Sequence, residues 1–254
     1  MNKYFLVIAR YKDEKQEIFD NHISPINQRY CDKHGFEYVV IGNDEPLELV
    51  RDNPTWWKFT IVQDWINKGK LKQGDVLTHF DADMVVVKDD QPYQTNKSFS
   101  YAIDNGNTHC MGNYTITVND WSIDLIDRIL SEDLYNKCKD LDHWQNFREQ
   151  AAWYTMTGVL PHSWISFFDM PNHGFHSTVS PNLHYSLNDL DKHVEIRGPE
   201  WNTTLLTEEA DDPISESLQK YNIVKSKKED TIVRHFAGGQ PWNKAYFQST
   251  KNEE

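Results

Sequence analysis

Tyr4 to Ala9 is a continuous apolar run, the pattern of a strand covered on both faces. The polar stretch Arg10 to Lys15 reads as the loop at its C-terminal end. Glu17 to His34 carries an apolar set, Ile18, Ile23, Ile26 and Tyr30, at roughly helical spacing. Pro25 argues against one unbroken helix, and Gly35 supplies a stop. Phe36 to Ile41 is a second strand, so the chain opens β-α-β, the unit that sets two strands parallel. After a polar loop from Gly42 to Thr55, Trp56 to Lys68 reads as a helix whose apolar face is Trp57, Ile61, Val62, Trp65 and Ile66. Gly69 to Gly74 closes it, and Val76 to Phe80 is the third strand.

The second half alternates less regularly. Phe99 to Ile103 is a short strand, Asp104 to Gly112 a loop, and Tyr114 to Val118 another strand. Asn119 or Asp120 caps a helix carrying Trp121, Leu125, Ile129 and Leu130. Asp142 to Tyr154 is a further helix, Ser163 to Met170 a candidate strand, and His173 to His193 loop-like. Glu208 to Tyr221 reads as a short acidic surface helix. Asp230 to Phe236 is the last apolar stretch and runs into Ala237-Gly238-Gly239-Gln240-Pro241-Trp242. There are no internal repeats. The tail from Gln248 is polar. The expected architecture is α/β, one Rossmann-like domain over residues 1–247 with a central, mostly parallel sheet flanked by helices, and a polar tail at 248–254.

The third strand delivers the chemistry. Asp81 and Asp83 follow Val76 to Phe80 directly. Asp is depleted in strands, and an unpaired carboxylate is costly to bury. In extended chain, residues i and i+2 share a side. The pair can therefore converge on a hard divalent cation, Mn²⁺ or Mg²⁺. The competing reading is a strand that ends in a polar turn. His235 follows the last apolar stretch and precedes Gly238 and Gly239, where backbone can approach a ligand closely. Exposed amides in such a turn can cradle phosphate, with Lys244 just beyond.

Charge and cysteine usage narrow the partners. The net charge of −13 disfavours a nucleic-acid surface, which needs clustered Lys and Arg. An anionic nucleotide ligand on such a chain needs a metal and local cations to offset repulsion. The three cysteines, Cys31, Cys110 and Cys138, have no metal-ligand spacing, and a reducing compartment suits them. Residues 4–9 are too short a run for a signal peptide or membrane anchor, and no membrane span is expected. The nine Trp and twelve Tyr exceed what a core usually needs; Trp and Tyr faces stack on sugars or bases, and Trp164 or Trp201 is a candidate acceptor platform.

Asp81-Ala82-Asp83 together with His235-Phe236-x-Gly238-x-x-Pro241-Trp242 resembles the metal-dependent GT-A glycosyltransferases. Two retaining groups are similar: one with glycogenin and bacterial lipopolysaccharide galactosyltransferases, the other with fungal galactosyl- and mannosyltransferases and plant xyloglucan xylosyltransferases. Asn27 to Phe36 resembles the second group's Asn and Tyr before His-Gly-Tyr, and Trp57-Lys58 its Trp-x-Lys segment without the intervening residue. The resemblance implies a GT-A fold and transfer of a hexose or pentose from a nucleoside-diphosphate sugar, UDP-linked, to a glycan, polysaccharide or glycolipid acceptor, with retention. It implies Asp81, Asp83 and His235 as metal ligands and Gly238 facing the diphosphate. Ala9 and Tyr11 match the loop that holds the base. Gln240 stands where the first group has a phosphate-binding Lys, which leaves Lys58 or Lys244 to supply that charge. Glu149-Gln150 occupies the place of an Asp-Gln pair at the sugar's reacting face, and Asp104 and Asn105 follow a strand in a donor-sugar position.

Two other classes compete. A nucleotide-sugar hydrolase or nucleotidyltransferase often carries a Gly-rich loop after the first strand, whereas Ala9 to Asp13 has no glycine. A non-catalytic carbohydrate-binding protein would not need the Asp pair and the distant His together. The family's eukaryotic members carry a membrane anchor; without such a run here the expectation is a soluble, cytoplasmic enzyme.

Overall fold

The computed structural model describes residues 1–12, 14–44, 54–105, 109–138, 148–157, 184–204, 206 and 226–236. Its strands are β1 (Lys3–Ile8), β2 (Glu37–Ile41), β3 (Val76–Asp81), β4 (Met84–Val86), β5 (Phe99–Ile103), β6 (His109–Thr117), β7 (Val194–Arg197) and β8 (Val233–His235). Its helices are α1 (Glu14–Ile18), α2 (Ser24–His34), α3 (Trp57–Asn67), α4 (Asp120–Ile129), α5 (Glu132–Cys138), α6 (Arg148–Thr157) and α7 (Leu187–His193). The architecture is α/β. A six-stranded sheet runs in the order β2-β1-β3-β6-β5-β7. The β1–β2, β1–β3 and β5–β7 pairs are parallel, and β6 runs against both its neighbours.

The strand pleat divides the core in two. In β1, Tyr4 and Leu6 join a cluster with Trp56, Phe59, Leu125 and Trp153, beneath α3, α4 and α6. Phe5 and Val7 join the opposite cluster with Ile18, Phe19, Ile23 and Tyr30, beneath α1 and α2. Alternate residues of one strand thus serve two faces.

The segment read as one helix broken near Pro25 is two helices joined by a π-helical turn, Phe19–Ile23. Pro25 sits in the first turn of α2, where its missing N–H costs nothing. Gly35 ends α2 in the left-handed region at φ 70°, as the stop signal requires. Asn27 is buried inside α2; its side chain donates to Met84 O at 3.0 Å and accepts from the Val86 amide at 3.1 Å. It satisfies backbone groups of β4 that the main sheet does not reach. Asn119 caps α4 in a reciprocal capping box with Ser122.

Three expectations change. The loop expected to run to Gly112 is shorter, because β6 already begins at His109 and pairs with β5 across a bulge. The loop-like reading of His173 to His193 gives way to α7 within the described part, started by a Ser186–Asp189 capping box. Strand β7, four residues with alternating but weak apolar character, has no counterpart among the expected elements and pairs with the edge of β5. The Ser163–Met170 and Glu208–Tyr221 elements, Trp164, Gly238, Lys244 and the tail lie outside the described residues. Among the described residues no helix is long and apolar enough to cross a membrane.

Candidate active site

The ends of β1, β3 and β5 converge with the start of β6, the first turns of α3 and α6, and β8 on one cavity of about 460 Å³. In open α/β sheets this carboxyl end of the strands is where ligands bind. Asp81 is the last residue of β3, and Asp83 lies in the turn before β4. The antiparallel β4–β8 ladder places Met84 opposite His235, and the Phe236 amide donates to Asp83 O at 3.0 Å. That small sheet is why residues so distant in sequence meet: His235 Nε2 lies 3.5 Å from Asp83 Oδ1, an ion-pair separation. His235 Nδ1 bonds Asn202 Oδ1 at 2.8 Å, so the ring turns Nε2 towards Asp83. Burial opposes charge on this ring, but the Asp83 carboxylate outweighs it and holds His235 well above the ordinary histidine range.

Lys58 is the centre of the other wall. It is only 4% exposed, yet keeps its charge because two carboxylates face it: Glu149 Oε1 at 3.0 Å and Asp81 Oδ1 at 3.4 Å. Burial would lower its ammonium pKa; Asp81 and then Glu149 reverse this and hold it above the usual lysine value. Burial likewise acts to raise the Asp81 carboxyl, and Lys58, with His79 Nε2 at 3.0 Å, holds it well below the usual range instead. His79 itself is buried, which depresses its pKa against the pull of Asp81. Glu149 is 5% exposed and its Oε2 has no hydrogen-bond partner. Gln150 Oε1 accepts from the Met111 amide at 2.9 Å, which fixes the side chain at the cavity wall.

Gly112 explains the close quarters. A Cβ there would sit 2.6 Å from Asp81 Oδ2 and 3.1 Å from Cys110 Sγ. A side chain here would push the Asp81 carboxylate out of its position, so glycine leaves that carboxylate where it is.

The donor set suits a divalent cation in its chemistry. Asp83 Oδ1 is buried without a hydrogen-bond partner, and the hydrogen bond from His235 Nδ1 to Asn202 is the kind that orients a metal-bound imidazole. The groups are not gathered, however. Among the described residues no three His, Cys, Asp or Glu side chains are spaced to hold a metal ion. Asp81 Oδ1 is taken by Lys58 and His79, which leaves Oδ2, above Gly112, as its available oxygen.

No family model matches this chain, and no curated protein does. Solved structures do. A glycosyltransferase involved in glycosylation of the major capsid of PBCV-1 aligns over 99% of this chain and 100% of its own, at 10% identity and a TM-score of 0.46. The galactosyltransferase LgtC, solved with donor and acceptor sugar analogs, aligns over 98% of this chain and 95% of its own, at 11% identity and a TM-score of 0.48. The catalytic domain of Drosophila β1,4-galactosyltransferase 7, complexed with xylobiose, aligns over 46% of this chain and 49% of its own, at 11% identity and a TM-score of 0.30. All three are glycosyltransferases, the class the sequence motifs resemble. The functional reading below rests on the cavity itself.

The cavity brings together most of the sequence candidates. Tyr11, Lys58, Asp81, Asp83, Asp104, Glu149, Gln150 and His235 all line it. Ala9 does not: it is fully buried in the core, with its amide donating to Ile41 O at 3.0 Å, while its neighbours Ile8 and Arg10 line the wall. Gly238 and Lys244 lie outside the described residues. Sequence reasoning passed over His79, Cys110 and Gly112. The signal for His79 was its spacing of two from Asp81 on one strand, which puts both on the same side.

Proposed function

We propose that this chain is a GT-A glycosyltransferase that takes a nucleoside-diphosphate sugar, UDP-linked, and transfers its hexose or pentose to a glycan acceptor with retention of configuration. The observation that carries the reading is the β4–β8 ladder. It brings His235 to Asp83 on the cavity wall that Asp81 enters from β3, opposite the Lys58–Glu149 pair. A plain strand end has no need of that second sheet, of a buried lysine held between two carboxylates, or of a glycine beneath Asp81.

Asp81, Asp83 and His235 would hold Mn²⁺ or Mg²⁺, which supplies Lewis-acid stabilisation to the diphosphate leaving group. The chain's own groups account for the rest. Lys58, dry and permanently charged, adds a fixed positive field where negative charge builds on the leaving phosphate. Tyr11 follows the end of β1 and takes the base, and Gly238 and Lys244, outside the described residues, are assigned to the diphosphate from the sequence resemblance alone. Gln150, held by the Met111 amide, faces the β-side of the anomeric carbon. Glu149 Oε2 and Asp104 accept hydrogen bonds from sugar hydroxyls; a hydroxyl is the donor that the buried, unpartnered Oε2 lacks. Same-face attack then passes the acceptor proton to the leaving phosphate, so no separate protein base is required.

The test is a thermal-shift screen with nucleoside diphosphates and nucleotide-sugars, each with Mn²⁺ and with EDTA. Ligand at one hundred times its Kd stabilises a fold by about 2.7 kcal/mol, a shift of roughly 5–11 °C at about 2–4 °C per kcal/mol for a chain of this size. A shift seen only with Mn²⁺, and removed by Asp83→Ala, supports the reading. No shift with any nucleotide overturns it.

A further inference from the structure

The order of the strands lays the charges of the cavity out along the sheet. β1 and β5 are separated by β3 and β6, and three strand spacings put them roughly 14 Å apart. At the β1 end, the Arg10 guanidinium lies 5.8 Å over the Trp57 ring, next to Tyr11. In the middle, two cations each face a carboxylate. His235 Nε2 is 3.5 Å from Asp83 Oδ1, and Lys58 Nζ stands between Asp81 at 3.4 Å and Glu149 at 3.0 Å. At the far end β6 begins and β5 ends. The first turn of α6 is fixed over the start of β6 by the bond from the Met111 amide to Gln150. The lining there carries two carboxylates, Glu149 and Asp104, and no lysine or arginine of its own among the described residues.

We infer that the donor's sugar is uncharged, a neutral hexose or pentose, and that the site rejects a uronic acid. This rests on the glycosyltransferase reading, in which Tyr11 takes the base and the sugar lies towards Asp104 and Glu149. A hydroxyl donates to a carboxylate oxygen, so a polyhydroxyl ring suits these two side chains. A uronate carboxylate has no hydrogen to give them and carries the same charge, and like charges brought together in a binding site are strongly unfavourable. Only a cation could offset this. Arg10 is at the other end of the cavity, His235 is held against Asp83, and Lys58 is held between Glu149 and Asp81. The same two carboxylates therefore recognise one class of sugar and exclude the other.

The experiment is isothermal titration calorimetry with Mn²⁺, comparing UDP-glucose with UDP-glucuronate and UDP-galactose with UDP-galacturonate. Within each pair the ligands differ only at C6, a hydroxymethyl group against a carboxylate. The uronate should bind at least roughly tenfold more weakly than its neutral partner. The gap should persist at high salt, because Glu149 is 5% exposed and buried charges are little screened. Glu149→Gln and Asp104→Asn each remove one of the two charges and should narrow the gap. Asp104→Asn leaves the Lys58–Glu149 pair intact and decides the matter if Glu149→Gln fails to fold. A uronate that binds as tightly as its neutral partner overturns the inference and leaves the glycosyltransferase reading standing. So does a gap that closes with salt, which is the long-range field of an acidic chain, or one that neither variant narrows, which is shape rather than charge. If none of these sugars binds, the donor reading has failed and the inference falls with it.

Discussion

Replacing Lys58 by Met removes the one cation between Glu149 and Asp81 and keeps the volume of the stem. The two partners do not respond alike. Glu149 has a side chain only 6% exposed, so its Oε1 loses a 3.0 Å ion pair with no water to replace it. Breaking a buried pair from one side costs about 3–5 kcal/mol. The Asp81 side chain is 39% exposed, and its 3.4 Å contact is screened by solvent. It adds no more than about 1 kcal/mol. Lys58→Met should therefore cost about 3–5 kcal/mol, a large share of the roughly 5–15 kcal/mol that holds a domain together. Urea unfolding followed by tryptophan fluorescence reads this directly. The decisive comparison is the double variant Lys58→Met/Glu149→Leu. Replacing both members of a buried pair by apolar groups is often close to neutral, so the double variant should regain most of the lost stability. It should nevertheless fail to bind nucleotide-sugar, because the field of Lys58 and the unpartnered oxygen of Glu149 are both gone. A Lys58→Met variant within 0.5 kcal/mol of the parent (roughly the scatter of surface substitutions) would refute the pairing. So would a double variant no more stable than the single one.

Gly112→Ala should leave the fold nearly as stable as before, because the group its Cβ meets at 2.6 Å is the end of the Asp81 side chain, which can swing aside. The displaced carboxylate should weaken Mn²⁺ binding about 10–100-fold, the range for a misplaced supporting group, measured by the manganese EPR signal of free metal. Asn27→Leu strips β4 of two buried hydrogen bonds and should cost about 2–5 kcal/mol from the unsatisfied Met84 carbonyl and Val86 amide; a loss under 1 kcal/mol in urea unfolding would contradict the role given to it. His109, buried against Tyr101, has its pKa depressed to about 4 by burial. Between that value and the unfolded value of about 6.5, the unfolded chain binds the proton and the folded chain does not. Stability is therefore undiminished by this group above pH 6.5 and falls as pH drops through the window, by up to about 3 kcal/mol near pH 4. His109→Phe should flatten that slope in urea unfolding run from pH 7 to 4.

What could be read from the chain and what could not divides along the range of the forces involved. The opening β-α-β unit, α3 and β3 are set by local periodicity, and the strands and helices up to Asp81 fell within two or three residues of their places. Gly35 and Asn119 announced their caps because capping is chemistry of adjacent residues. Strand β7 was hidden because Val194–Arg197 earns its place by pairing with the edge of β5, a contact that propensity does not encode. The site divides in the same way. Asp81 and Asp83 stood out as carboxylates at the end of an apolar run, and His235 as a histidine before two glycines. That they face one cavity depends on β4, three residues paired to β8 with no pattern of their own. Lys58 was visible as a cation in a short motif, but not as a buried one. Its burial follows from Glu149 arriving on α6, and from Asp81 opposite. Gly112 is the clearest case. A glycine in a strand normally weakens it, and nothing near it in the sequence says why it is there. The reason lies across the sheet, in a carboxylate on the neighbouring strand that needs the room a methyl group would take. The same Asp81 that the sequence marks as a ligand thus dictates the residue beneath it. The side chain and the space around it form one unit, and a substitution at either should be read first in metal affinity and only then in stability.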